Sequence, residues 1–163
     1  GESPTVLSMA TEIIRDETNL LDINMGCPVK KVVRNGAGSA LLQDPLKVAR
    51  ILAAVRKIYP GPLTIKIRSG WDEQSLNFLE IGRIAEAEGV DFITVHGRYR
   101  TSYSVPAEWD KIAEVKQSVS IPVLGNGDIL SIHDAQKLIT TTNIDWMQGD
   151  FARIDMEDLK TVK

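Results

Sequence analysis

The only cysteine in the chain, Cys27, lies between two residues that restrict the backbone. Gly26 permits conformations that other residues resist, and Pro28 fixes its own φ and restricts Cys27 to extended geometry. A buried strand is predicted over 20–25, so the thiol lies on a constrained turn beyond the carboxyl end of that strand. In parallel α/β folds, ligands bind at that edge of the sheet. A small buried hydrophobic side chain is the commoner interpretation of a lone cysteine, and the flanking glycine and proline weigh against it.

Every predicted strand of this chain ends in residues that can take part in chemistry. In chain order these residues are Asn24 and Cys27; Lys66 and Arg68; His96 and Arg98; Asn126, Gly127 and Asp128; and Gly149 and Asp150. The carboxyl ends of parallel strands meet at one edge of a sheet. Five such strand ends in succession therefore predict an active site assembled from the loops between strands and helices.

Two of these residues have both a functional and a structural interpretation. Lys66 lies between Ile65 and Ile67, so it should point to the opposite face of the sheet from the isoleucines. A lysine buried there needs an anionic or strongly accepting partner, which is either a cofactor oxygen or the acidic half of an internal ion pair. His96 is either a hydrogen-bonded core histidine or, because Gly97 and Arg98 follow it, part of an anion site.

Glycine-rich loops follow the last two predicted strands. Backbone N–H groups in such loops commonly hold a phosphate in barrel enzymes, which is the function predicted for the loop 125–128 and for the loop around Gly149. The alternative for Asn126, Gly127 and Asp128 is a simple turn.

Basic residues concentrate at the same predicted edge, and aromatic residues lie among some of them. They are Lys30, Lys31 and Arg34 after the cysteine, and Arg98 and Arg100 with Tyr99 and Tyr103 after the histidine. This arrangement can bind a polyanion and stack on its bases, although a solvated loop would have the same composition. The net charge of −3 argues against binding nucleic acid through the whole surface, but not through a local patch.

Alternating strands and helices must position these residues. Strands are predicted over 20–25, 63–68, 90–96, 121–124 and 144–148, with a long loop over 26–43 and a last short helix over 155–163. This order indicates an α/β fold with a parallel sheet. A (β/α)8 barrel needs eight strands and about 250 residues, so that architecture requires further strands. A doubly wound sheet requires no further strands, but it usually binds its cofactor through a glycine-rich turn directly after the first strand. The glycine-rich stretch 36–40 lies too far from that strand and lacks the full dinucleotide-binding fingerprint.

Composition bounds the class of protein. The chain has 163 residues, 43% of them hydrophobic and 25% charged, as in soluble proteins with one sizeable core. No apolar run could cross a bilayer, and no signal-peptide pattern is present. One cysteine excludes an internal disulfide, so we expect a cytoplasmic protein. No Cys/His cluster has the spacing of metal ligands, and no metal is expected.

Several stretches together resemble the tRNA-dihydrouridine synthase family, and its bacterial type in particular. The stretches that carry the resemblance are Asp22–Val32, Asn35–Leu42 with Asp44-Pro45, Ile65–Arg68 with Gly70-Trp71-Asp72, Val95–Arg98 and Ile121–Ile129. The similarity covers nearly the whole chain, and the five motifs occur in the order and at the spacing of the family. It identifies the chain as a fragment of the catalytic barrel of such an enzyme.

The resemblance implies an FMN-dependent barrel enzyme that reduces uridine to dihydrouridine in tRNA, with NADPH as the reductant of the flavin. Cys27 takes the place of the family's general acid. Positions that contact the flavin and its phosphate are Lys66, His96, Asn126, Gly127, Asp128 and Gly149. Positions near the uracil or the tRNA are Asn24, Lys30, Lys31, Arg34 and Arg98.

Two departures from the family pattern shape the expectations. Where the family usually has a Gly-Arg-Gly-like phosphate loop, this chain has Gly149, Asp150 and Phe151, and Arg153 is the nearest substitute. The family's first three strands and its C-terminal helical domain have no counterpart. We therefore expect residues 1–163 to form one partial flavin-binding domain, an incomplete TIM (β/α)8 barrel of about five parallel strands. Its open edges should favour self-association, and its activity in isolation should be weak or absent.

Two other functions remain open from the sequence. One is an FMN oxidoreductase of the dihydroorotate-dehydrogenase kind that acts on a free pyrimidine. The other is a non-catalytic remnant that binds RNA or a protein partner, which Asp150 and the missing strands favour.

Overall fold

The structure, a computed structural model, describes residues 1–101 and 104–149. Within them, strands and helices alternate. The strands are β1 Leu21–Asn24, β2 Leu63–Arg68, β3 Phe92–His96, β4 Val123–Asn126 and β5 Trp146–Gln148. The α-helices are α1 Pro4–Ile14, α2 Lys30–Arg34, α3 Pro45–Arg56, α4 Phe78–Ala87, α5 Trp109–Ser118 and α6 Ile132–Thr142, and a 3₁₀ helix covers Gly38–Gln43.

The five strands form one parallel sheet in the order β1-β2-β3-β4-β5. Each strand pairs with the next one along the chain, so the order never reverses as it does in a doubly wound sheet. Successive right-handed crossovers in one direction place the helices on one side. The helices contact one another in sequence, α3 with α1 and α4, and α5 with α4 and α6. The expected α/β fold, an incomplete TIM (β/α)8 barrel, is confirmed.

The hydrophobic core lies between the sheet and the helices. On β2 and β3, the residues that face the helices are Ile65, Ile67, Ile93 and Val95, and each is fully buried. Matching aliphatic residues on the helices, such as Ile51 and Ile81, are also fully buried. Burying each such side chain contributes about 1.5–3 kcal/mol, so this one layer provides most of the stability.

The opposite face of the sheet, which we call the open face, carries different residues. The strand register aligns them in rows across the sheet. The middle row is Asn24, Lys66, Thr94, Leu124 and Trp146, and the row at the carboxyl edge is Arg68, His96, Asn126 and Gln148. In a closed barrel this face would be the interior, and here its outermost members, Asn24, Trp146 and Gln148, are exposed.

Local structure departs from the sequence prediction at a few places. The predicted loop over 26–43 contains α2 and the 3₁₀ helix, both too short to give a helical hydrophobic period. Strand β4 starts and ends two residues later than predicted, because Gly125 and Asn126 pair with β3 and β5 despite their low strand propensity. The helix predicted over 155–163 lies outside the described residues. Within the described part, no helix is long and apolar enough to cross a membrane.

Candidate active site

The Cys27 turn is held by hydrogen bonds on both sides. The Asn24 side chain accepts from the backbone N–H of Gly26 at 3.0 Å. The carbonyl of Cys27 accepts from the backbone N–H of Ser39 at 3.0 Å and from its hydroxyl at 2.9 Å. Gly38 has φ +60°, and a Cβ there would come within 2.6 Å of the Cys27 carbonyl oxygen. The half-buried thiol therefore stands on a turn whose geometry depends on the 3₁₀ helix.

Arg68 connects three of the loops at the carboxyl edge of the sheet. From the end of β2, its Nε donates to the carbonyl of Gly26 at 3.0 Å, next to the cysteine. Its Nη1 donates to the carbonyl of Tyr99, beyond β3, at 3.1 Å. The position of Arg68 at the end of a predicted strand indicates this edge but no role there. The two bonds show that it fixes the Cys27 turn relative to the loop after His96.

Lys66 lies on the open face, as its position between two isoleucines predicts. Its Nζ donates to Oδ1 of Asn126 at 2.7 Å, and Nδ2 of Asn126 donates to the carbonyl of Gln148 at 2.8 Å. The pKa of Lys66 is lowered from 10.5 to about 8, mainly by burial and also by the charge of Arg68, while Asp22 acts in the opposite sense. The hydrogen-bond partner is thus an amide rather than a carboxylate, and the ammonium keeps further N–H bonds to donate to a ligand.

His96 lies beside Lys66 and Arg68 on the open face. Its Nδ1 accepts from the backbone N–H of Arg98 at 3.2 Å. The pKa of His96 is lowered from 6.5 to about 3, mainly by burial and also by the nearby charges of Arg68, Lys66 and Arg98, with Asp128 acting in the opposite sense. The imidazole is therefore neutral at physiological pH, a hydrogen-bonded side chain that also lies at the site.

Arg98 and Asp128 bind each other. Nη2 of Arg98 donates to both carboxylate oxygens of Asp128, at 2.6 and 2.8 Å. The same carboxylate accepts from the backbone N–H of Ala107 at 2.6 Å, and Nε of Arg98 donates to the carbonyl of Val105 at 2.6 Å. Both were predicted to contact ligand, Arg98 the tRNA and Asp128 the cofactor. The structure brings them together in a half-buried ion pair that neutralises the arginine.

The two glycine loops lie close to the same edge. Gly127 has φ +111°, and its carbonyl accepts from Nε1 of Trp109 at 2.9 Å. A Cβ at Gly149 would lie 3.1 Å from the carbonyl oxygen of Ile129, so the loops after β4 and β5 touch. Asp150 and Arg153, on which the phosphate prediction also depends, lie outside the described residues.

The basic residues divide into two groups. Lys30, Lys31 and Arg34 are exposed on α2, directly after the Cys27 turn. Arg100 instead stacks on Trp71, with its guanidinium carbon 3.8 Å from the ring centroid. Sequence analysis missed this stack, although both residues lie in loops that follow adjacent strands; Tyr103 lies outside the described residues. In the described part, no group of His, Cys, Asp or Glu residues could hold a metal ion.

The sequence of this chain matches that of a known family. The family model described as dihydrouridine synthase (Dus) matches residues 1–153. The chain belongs to the dihydrouridine synthase family.

Curated dihydrouridine synthases align with most of the chain. It is 44% identical over 146 residues to tRNA-dihydrouridine synthase B of Pseudomonas putida, and the aligned region covers 89% of this chain and 43% of that protein. It is 46% identical over 147 residues to tRNA-dihydrouridine synthase B of Pasteurella multocida, covering 89% and 44%. The chain thus spans less than half the length of the curated relatives it matches.

Solved structures support the fold of this dihydrouridine synthase family member. An isomerase from Streptomyces coelicolor superposes with a TM-score of 0.61 at 17% identity, covering 90% of this chain and 33% of that one. The 3,6-anhydro-D-galactonate cycloisomerase from Zobellia galactanivorans gives a TM-score of 0.61 at 15% identity, covering 96% and 39%. In each, this chain aligns with little more than a third of the larger protein or less, which supports the fold as part of a larger one.

The predicted site residues of the dihydrouridine synthase fragment form a connected group with one outlying set. Hydrogen bonds and strand register connect Asn24 and the Cys27 turn to Lys66, His96 and Asn126, and through them to the Arg98–Asp128 pair. Gly127 and Gly149 lie in the adjoining loops. The basic residues of α2 are exposed, and within residues 1–101 and 104–149 no hydrogen bond or ion pair connects their side chains to this group.

Proposed function

We propose that this chain is part of the catalytic barrel of a tRNA-dihydrouridine synthase. Such an enzyme would reduce uridine in tRNA to 5,6-dihydrouridine, with FMN as cofactor and NADPH as the source of electrons. The similarity to curated enzymes of that name over 89% of the chain supports the reaction. The observation that carries the proposal is the placement of the Cys27 turn at the same sheet edge as Lys66, His96 and Asn126, all on the open face.

The chemistry of the open face fits FMN. A flavin ring is flat and rich in carbonyl oxygen and ring nitrogen acceptors. The open face offers an ammonium at Lys66, an amide at Asn126 and a neutral imidazole at His96. Lys66 and Asn126 would hold the ring, and the backbone of the loops at Gly127 and Gly149 would approach the phosphate. Asp128 would take part through Arg98, since its carboxylate is already occupied.

Bound FMN would supply the hydride that adds to C6 of the uracil. The thiol of Cys27 would then donate its proton to C5, as a positioned general acid. Asn24 uses its side-chain oxygen to hold Gly26, which leaves its amide nitrogen to donate to a uracil carbonyl. Addition of hydride at C6 would leave negative charge on C5 and the C4 carbonyl of the uracil until the proton arrives, and the desolvated Lys66 ammonium would stabilise that charge.

Lys30, Lys31 and Arg34 would contact the tRNA backbone near the target nucleotide. Exposed cations on a short helix beside the acid can neutralise phosphates without reading sequence. A protein with this substrate would work in the cytoplasm. As a partial domain of 1–163, it would also expose the edge of β1, through which two copies could associate.

The test is the dihydrouridine content of tRNA in a bacterial strain that lacks its own dihydrouridine synthases. The gene that contains this sequence is expressed there, and dihydrouridine is measured by mass spectrometry of tRNA digests. We expect dihydrouridine to appear with the unchanged sequence and to be lost with Cys27→Ala. No dihydrouridine from either gene, at equal protein levels, would refute the proposal.

The purified chain distinguishes the remaining alternatives. Bound flavin, seen in the visible spectrum after FMN is added, favours an enzyme over a non-catalytic RNA-binding or partner-binding remnant. Activity on free dihydroorotate in place of tRNA would instead indicate an oxidoreductase of the dihydroorotate-dehydrogenase kind. We expect the isolated chain to turn over unmodified tRNA weakly or not at all, and efficient turnover would contradict the partial-barrel interpretation.

A further inference from the structure

The hydrogen bond to Nδ1 of His96 determines which ring nitrogen carries the proton. The backbone N–H of Arg98 points at Nδ1 over 3.2 Å, and a backbone N–H can only donate. Nδ1 must therefore be the unprotonated nitrogen. The neutral ring then carries its proton on Nε2. Protonating Nδ1 would place two hydrogens against each other, with Lys66, Arg68 and Arg98 already nearby.

The backbone of Gly127 also lies against the ring. A Cβ added at Gly127 would lie 3.1 Å from Cε1 and 3.3 Å from Nδ1 of His96, so the Gly127 backbone packs on the imidazole. Among the described residues, no group accepts a hydrogen bond from Nε2. That nitrogen is also absent from the buried polar atoms without a partner in the described part, so it can be reached from the open face.

The Arg98–Asp128 pair joins the loops that make both contacts. Arg98 provides the N–H that faces Nδ1, and Asp128 follows the glycine that packs on the ring. The bidentate bonds between them connect these loops directly. Asp128 itself has φ +57°, a conformation that its bond from the N–H of Ala107 helps to hold. Each loop would lose an anchor if the pair were broken.

We infer that Arg98 and Asp128 are positioning residues that hold His96 as its neutral Nε2–H tautomer, so that the imidazole donates a hydrogen bond from the open face. The ligand atom it meets is an acceptor: a carbonyl oxygen, an unprotonated ring nitrogen or a phosphate oxygen. The identity of that ligand as FMN rests on the proposed function, whereas the tautomer does not.

Nitrogen-15 NMR of the imidazole rings in the full 163-residue chain tests the tautomer. The sequence has only two histidines, so His133→Gln assigns the His96 signals. We expect one protonated nitrogen at Nε2 and an unprotonated Nδ1 far downfield. A protonated Nδ1 in the unchanged chain would overturn the inference.

Breaking the pair tests the positioning role. Asp128→Asn should release the ring into a mixture of tautomers, which moves both nitrogen signals towards their average. The matched control is Asp145→Asn. Like Asp128, Asp145 pairs with a basic side chain, that of Lys116 at 2.7 Å, and accepts a hydrogen bond from a backbone N–H, that of Val123. It should leave the His96 signals unchanged. Unchanged signals in Asp128→Asn as well would refute the role, and Arg98→Gln provides the second variant if Asp128→Asn does not fold.

Titration with FMN tests the ligand. Binding should shift the Nε2–H signal, and Asp128→Asn should weaken FMN affinity about tenfold, as expected for one misplaced hydrogen bond. FMN binding without any change at Nε2 would overturn the donor role of His96. No FMN binding at all, with the tautomer as inferred, would instead count against the proposed function.

Discussion

The two faces of the sheet differ in every property that matters for this protein. On the helix side, Ile65, Ile67, Ile93 and Val95 are fully buried. On the open face, Lys66, His96 and Asn126 take part in side-chain hydrogen bonds, and the half-buried Leu124 and the exposed Trp146 lie in the same rows. A strand alternates its side chains between faces, so one residue step along β2 separates a core position from a site position. The packed core and the proposed site thus lie on the same strands but on opposite faces.

This separation predicts that matched substitutions on the two faces change different properties of the protein. Substitutions on the helix face should mainly lower the free energy of unfolding, because the side chains there are close-packed. The open face should respond mainly in ionisation, ligand binding and reactivity.

The largest expected effect is on the helix face. Ile93→Ala should lower the free energy of unfolding by about 2–5 kcal/mol, because it leaves a cavity in a closed core. Leu124→Ala, a similar deletion on the half-buried open face, should cost less, since the site is already open to solvent. Urea unfolding followed by circular dichroism measures both. Equal losses would mean that the open face is packed as tightly as the helix face.

The second expected effect is a decrease in the free energy of unfolding at acid pH. The pKa of His96 is lowered from 6.5 to about 3, so between these values the unfolded chain binds the proton and the folded chain does not. Stability should therefore fall as the pH drops below about 6.5, by at most about 1.4 kcal/mol per pH unit. His96→Gln should flatten the slope between pH 7 and pH 5, above the range where most carboxylates titrate.

The control for that experiment is the other histidine. His133 is exposed on α6, and His133→Gln should keep the slope of the unchanged protein. Urea unfolding at a series of pH values gives both slopes. If removing His133 flattens the profile and removing His96 does not, the burial and charge environment assigned to His96 is wrong.

The comparison of faces also shows how far sequence alone reaches. The pattern Ile65-Lys66-Ile67 was sufficient to place the lysine opposite the core, because strand alternation is local and has a fixed period. Strand ends likewise placed Cys27, His96 and Asn126 at one edge. These predictions required only the chain direction of parallel strands, which the alternation with helices implies.

The contacts between loops could not be predicted from the sequence. Arg98 and Asp128 are 30 positions apart, and nothing in either stretch shows that one neutralises the other. The bond from Arg68 to Gly26 joins loops that are 42 positions apart. Such pairs depend on backbone geometry at Gly127 and around the 3₁₀ helix, which has no periodic signal. The position of these residues at one edge of the sheet was therefore predictable, but the hydrogen bonds and ion pairs among them were not.

A third, smaller effect should distinguish two glycines of the loop beside Cys27. Gly36 and Gly38 both have positive φ, so alanine at either should cost about 1–2 kcal/mol in backbone strain. Only Gly38 lies against the cysteine, where a Cβ would also meet the Cys27 Cβ at 3.0 Å, whereas the nearest atom at Gly36 is 3.7 Å away. Gly38→Ala should thus displace the Cys27 turn as well.

The alkylation rate of Cys27 by iodoacetamide measures that displacement, and no other cysteine can react. Gly38→Ala should change the rate, while Gly36→Ala should leave it as in the unchanged chain at equal folded fraction. A change of the same size in both variants would show that the turn responds to strain anywhere in the loop, rather than to the close approach at Gly38.

The smallest effect on stability should come from the exposed cations, which also separate the two sides of the fold. Lys30 and Lys31 lie on α2 beside the Cys27 turn, whereas Lys57 and Arg83 are exposed among the helices. Replacing either pair with glutamine should change the free energy of unfolding by less than about 0.5 kcal/mol.

Binding of unmodified tRNA should differ between the two pairs, because only Lys30 and Lys31 would neutralise phosphates at the site. In fluorescence anisotropy at several salt concentrations, Lys30→Gln/Lys31→Gln should reduce the slope of log K against log[salt] by about 1.5, and Lys57→Gln/Arg83→Gln should leave it unchanged. Equal losses from both pairs would mean that tRNA binds through the overall charge of the chain, and the polar edge would then have no special part in holding the substrate.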